Sequence, residues 1–130
     1  MDTRIMAVGS AKTKTGKKRR SRVRITGFWL NSIGFENGKL VSAEYNYGNV
    51  ILKAHDSDIA TYESLVNGIR KNKSSLLQVR QDLKNKQYTP HIEIKGFWLE
   101  NLGFTIGSVI AVQYENGLIN IRLLDLSKLL

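Results

Sequence analysis

Two histidines, His55 and His91, are the side chains of this chain whose charge can change near neutral pH, so any acid–base chemistry would have to begin with them. A ribonuclease centre needs a His/His or His/Lys arrangement, and no spacing in the sequence supports one. Surface histidine accounts for both equally simply. Asp56 and Asp58 form a carboxylate pair, but capping of a following helix explains them better, and two acids alone do not hold a metal. There is no cysteine, hence no disulfide and no thiolate metal site. The glycines do not form a phosphate loop, and no nucleophile stands beside an evident base. The sequence therefore assigns no catalytic residue and calls for no metal or cofactor.

Binding chemistry is better represented. The net charge is +9 over 130 residues, and nine of the 20 Lys and Arg residues fall within residues 1–24. Clustered cations of this kind are rewarded by counterion release on a phosphate backbone, so the partner expected is RNA or DNA. The residues expected to bind are Lys17, Lys18, Arg19, Arg20, Arg22 and Arg24, with Arg70, Lys71 and Lys73 as a second group. The arm has no aromatic residue, so it would add affinity without sequence choice. The alternative is a merely solubilising tail. Trp29 and Trp98 could stack on bases, but burial in a core is the stronger expectation for both, and for Phe35 and Phe104.

The elements that must position these residues come from an internal repeat. Gly27, Phe28, Trp29, Leu30, Gly34, Phe35, Gly38, Tyr45 and Gly48 recur, 69 positions later and without a gap, as Gly96, Phe97, Trp98, Leu99, Gly103, Phe104, Gly107, Tyr114 and Gly117. Each copy is too small to bury a core alone, so the two should pack together. Arg22–Ile25 and His91–Ile94 alternate with period two and predict strands. A short helical turn follows, with Gly34 or Gly103 at C′ and Phe35 or Phe104 at C″, facing Leu30 or Leu99. Two further strands then meet at Gly48-Asn49 or Asn116-Gly117.

Residues 1–21 are too polar to offset ordering entropy and predict a disordered arm. Residues 22–54 and 90–125 are the two repeats. Residues 55–89 predict a helical linker, with Tyr62, Ile69, Leu76 and Leu83 at heptad spacing and Asp58 as cap. A capping-box pattern from Ser75 to Gln78 leaves open one helix or two, and Thr89-Pro90 ends the segment. No apolar run is long enough for a membrane span and no secretory signal opens the chain, so the expectation is a soluble cytoplasmic protein without membrane contact.

The second copy, with Trp98-Leu99, Gly103-Phe104, Gly107 and Glu115-Asn116-Gly117, resembles the SymE-type toxin family. Its pattern is a strand, Gly-x-Trp-Leu, x-x-Gly-Phe-x-x-Gly, and a hairpin closed by Glu-x-Gly. The first copy keeps the turn at Glu36-Asn37-Gly38 but departs at Asn46-Tyr47-Gly48. The resemblance implies an α+β, mainly β fold: an AbrB-like swapped-hairpin barrel, here formed by two internal repeats joined by a helical segment. It also implies nucleic-acid binding or endoribonuclease activity within a toxin–antitoxin system. A protein-interaction module using the helical stripe is the third reading, and a further homo-oligomer beyond the internal pairing is open.

Overall fold

The computed structural model describes residues 2–13, 15–69, 74–84 and 86–125. The chain is mainly β. It runs β1 (Asp2–Ala7), β2 (Gly9–Lys12), β3 (Arg19–Thr26), α1 (Trp29–Ser32), β4 (Leu40–Asn46) and β5 (Asn49–His55). It continues through α2 (Ile59–Ile69), β6 (Ser74–Gln78), β7 (Arg80–Lys84), β8 (Gln87–Lys95), α3 (Trp98–Asn101), β9 (Val109–Glu115) and β10 (Leu118–Leu123). A six-stranded sheet has the order β1-β9-β10-β5-β4-β6, and a four-stranded sheet the order β2-β3-β8-β7, every neighbour antiparallel.

The expected closed barrel is not formed. Both sheets stay open, with β1 and β6 edging the larger and β2 and β7 the smaller. The chain changes sheet at single buried residues, Val8 and Val79, which break the ladder at the corner. Val8 pairs its backbone with Ser108 and Gly107, and Val79 pairs with Lys39 and Gly38. Val23, Ile25, Ile92 and Ile94 of the smaller sheet face Val41, Leu52, Ile110, Ile119 and Ile121 of the larger across one apolar core, into which Leu30, Phe35, Leu99 and Phe104 are buried.

Two further expectations are corrected. The supposedly disordered arm contributes β1 and β2, because the free edges of β9 and β3 satisfy its backbone and Val8 enters the core. Of the helical linker, the described helix is Ile59–Ile69; Leu76 lies on β6 and Leu83 on β7, so the heptad spacing was coincidental. Leu77 packs on the core from β6, with Leu76 and Gln78 on the other side of the strand. Ser75 and Gln78 are thus strand residues, not a capping box, and Pro90 sits inside β8. Asp58 does cap α2, accepting from the Thr61 N–H at 2.7 Å.

The pairing registers share a common geometry. In β3–β8, Val23 faces Ile94 and Ile25 faces Ile92, centred on Arg24 opposite Glu93. In β5–β10, Val50 faces Ile121 and Leu52 faces Ile119, centred on Ile51 opposite Asn120. Both central pairs are 69 positions apart. β6 pairs with β4 as β1 pairs with β9, and β7 pairs with β8 as β2 pairs with β3. The aromatic contacts follow the same correspondence. Trp29 packs on Tyr114 with ring centroids 4.4 Å apart, and Trp98 on Tyr45 at 4.7 Å. The tryptophans are only partly covered: Trp98 remains 40% exposed, and Arg4 stacks 4.6 Å from the Trp29 ring centre. The expected full burial therefore holds for Phe35 and Phe104 alone.

Candidate nucleic-acid interface

Strand alternation builds the surface. On β3, Ser21, Val23 and Ile25 are buried, which turns Arg20, Arg22 and Arg24 to the outer face of the smaller sheet. On β8, Pro90, Ile92 and Ile94 are buried, so His91, Glu93 and Lys95 share that outer face. Register then sets Arg22 against Lys95, Arg24 against Glu93 and Thr26 against His91. From the flanking strands come Gly9 opposite Arg22, Ala11 opposite Arg20, and Arg80 opposite His91.

The two ends of this face differ in charge. At one end Arg20 and Arg22 have no ion pair among the described residues, and Gly9 and Ala11 leave space beside them. The β2–β3 hairpin extends this end with Lys17, Lys18 and Arg19, all exposed; Arg19 Nε donates to Ser10 Oγ at 2.6 Å. At the other end Arg24 is paired with Asp82 and lies 3.7 Å from Glu93, so it is the least available of the expected binding residues. Burial would raise the Glu93 carboxyl, but Lys95, Arg22 and Arg24 outweigh it and hold it below its usual range. Arg70, Lys71 and Lys73 lie outside the described residues.

His91 stands at the paired end, its Nδ1 3.3 Å from Asp82 Oδ2 without a well-aligned hydrogen bond. Burial lowers its pKa, and Arg24 and Arg80 add to this against Glu93. With Arg80, Glu93, Lys95, Tyr62 and Leu76 it lines a cleft of about 580 Å³. His55 belongs elsewhere: its Nε2 is 2.8 Å from Ser42 Oγ on the larger sheet, in a separate cleft with Lys39, Asp56 and Thr61. The structure thus gives the two histidines different surroundings. Asp56 is engaged by Lys39 at 3.3 Å, and no three metal-ligating side chains gather among the described residues.

Sequence reasoning missed Lys95, Arg80 and Asp82. Lys95 was legible as the outward residue after Ile94, whereas the other two required β7, hidden within an apparently helical stretch. No helix among the described residues is long and apolar enough to cross a membrane.

Residues 71–123 match the family model described as Toxin SymE, type I toxin-antitoxin system. The matched span runs from β6 to β10, so this part of the chain is similar to the SymE toxin family. No curated protein and no solved structure matches the chain.

Proposed function

We propose that this protein is a SymE-related nucleic-acid binder in which two AbrB-like strand–helix–hairpin units, arising by tandem duplication, pair within one chain. The common 69-position offset at the centres of the β3–β8 and β5–β10 registers supports the duplication. The binding surface is the outer face of the smaller sheet with the β2–β3 hairpin. The observation that carries the reading is the row of Arg20 and Arg22, pointing outward from buried neighbours and without an ion pair among the described residues, continuous with Lys17, Lys18 and Arg19.

The test is a salt titration of binding to RNA and DNA of matched sequence. Affinity should fall steeply with salt, each phosphate contact contributing about 0.9 to the logarithmic slope on duplex DNA and about 0.7 on single strands. Neutralising Lys17, Lys18, Arg19 and Arg20 together should flatten that slope by about two to four. An affinity indifferent to salt would refute the proposal.

An endoribonuclease is the second reading, favoured by one arrangement: His91 oriented near Asp82 in a cleft that also holds Arg80 and Lys95. There a neutral imidazole could take a proton from a ribose hydroxyl while the cations meet the phosphate. RNA recovered intact from the same titration would remove this reading and leave the binder.

A further inference from the structure

We infer that Phe97 is a stacking platform for an unpaired base at the cationic end of the smaller sheet, so that this protein prefers single-stranded to duplex nucleic acid. The inference rests on the nucleic-acid reading above and adds a ligand class to it.

Phe97 directly follows Gly96, whose N–H donates to the Ser21 carbonyl at 3.0 Å, between Arg20 and Arg22 in sequence. The ring is 48% exposed, and its counterpart Phe28 is 54% exposed, although Trp98, Leu99 and Phe104 nearby supply the packing. A large aromatic ring held half in water, at the same place in both units, is not accounted for by core burial. The surroundings separate the two. Phe97 follows Lys95 by two residues, and Lys95 is opposite Arg22 in the strand register, so the backbone of Phe97 starts from the Arg20–Arg22 end of the sheet; Glu100 lies 3.5 Å from Ser21 Oγ, and Lys95 is shared with Glu93 at 3.1 Å. Phe28 follows Gly27, bonded to Pro90, and thus adjoins the end where Arg24, Asp82 and His91 engage one another.

Cations that track phosphates, with an exposed ring beside them, are the combination by which single strands are held. Stacking needs the open face of a base, which a duplex hides between its neighbours. Arg20 and Arg22 would take successive phosphates while the base between them turns onto Phe97.

The experiment uses the full chain with a single-stranded RNA of about ten nucleotides, within the range one small β domain covers, carrying 2-aminopurine, and the duplex of the same sequence. The wild type should bind the single strand more tightly and change the 2-aminopurine emission. Phe97→Ala should weaken single-strand binding by about 5- to 150-fold and leave the duplex affinity and the thermal melt unchanged. Phe97→Trp should preserve binding, and Phe28→Ala should have the smaller effect. Equal losses on both ligands, or no loss on either, would overturn the stacking role while leaving nucleic-acid binding intact. A wild type that binds neither ligand at low salt would instead overturn the parent reading, and the inference with it.

Discussion

His91 shows how one side chain can be read by its titration. Its ordinary pKa is 6.5, and burial, with Arg24 and Arg80 nearby, lowers it in the folded protein. Between the folded and unfolded values the unfolded chain binds the extra proton, so folding stability rises with pH through that window. The contribution is complete above about pH 6.5 and is lost as the pH falls towards the folded value. His91→Gln should therefore flatten the acid side of the stability profile, measured as denaturation midpoints at successive pH values. His55, lowered by burial and Lys53, should retain a similar but separate share. An unchanged profile in His91→Gln would mean that Asp82 offsets the burial.

The connection from strand to helical turn is the element that recurs most closely. Gly96 has φ 152°, and a Cβ there would lie 2.3 Å from Trp98 Nε1; at Gly27, φ 144°, it would lie 2.5 Å from Trp29 Nε1. The indole folds back over its own glycine, which lets the strand stop and the turn begin within one residue. The turn then closes with Phe104 N–H to Leu99 C=O at 3.0 Å and Gly103 N–H to Glu100 C=O at 3.0 Å, the Schellman pattern, repeated by Phe35 and Gly34. Gly96→Ala should destabilise the fold by about 1–3 kcal/mol, through backbone strain and displacement of the indole. Chemical denaturation checks the loss, and tryptophan emission should shift as Trp98 moves.

At the scale of the whole molecule, the β3–β8 register is centred on Arg24 opposite Glu93, 69 positions apart. In a dimer of identical units that position would meet its own copy, arginine against arginine or glutamate against glutamate. One chain carrying both units places opposite charges there, 3.7 Å apart. Partial exposure keeps the attraction small, on the order of 1 kcal/mol or less, but like charges would act in the opposite direction. A chain of residues 71–130 alone would leave β8 without β3 and β10 without β5, and should either stay unfolded or self-associate with Glu93 facing Glu93. Glu93→Gln in that fragment should strengthen self-association, read by light scattering against protein concentration. If the fragment is a folded monomer, the two units do not depend on each other.

Local chemistry was legible wherever a residue's neighbours in sequence are its neighbours in space. The strand alternation around Val23 and Ile92, the capping by Gly34 and Gly103, and the Asp58 cap all follow from short-range geometry, and the 69-residue repeat and basic segment stand in the sequence itself. The edges could not be read this way. β1 and β2 are strands because β9 and β3 offer unpaired edges, and β6 and β7 because β4 and β8 do, although the local composition favours disorder in one case and a helix in the other. Which cations are free was likewise settled by pairing: Arg22 and Arg24 share a strand and a face, yet only Arg24 meets Asp82, a residue 58 positions away. Sequence determines which groups a segment can present, while long-range strand register decides which of them are neutralised and which remain for a ligand.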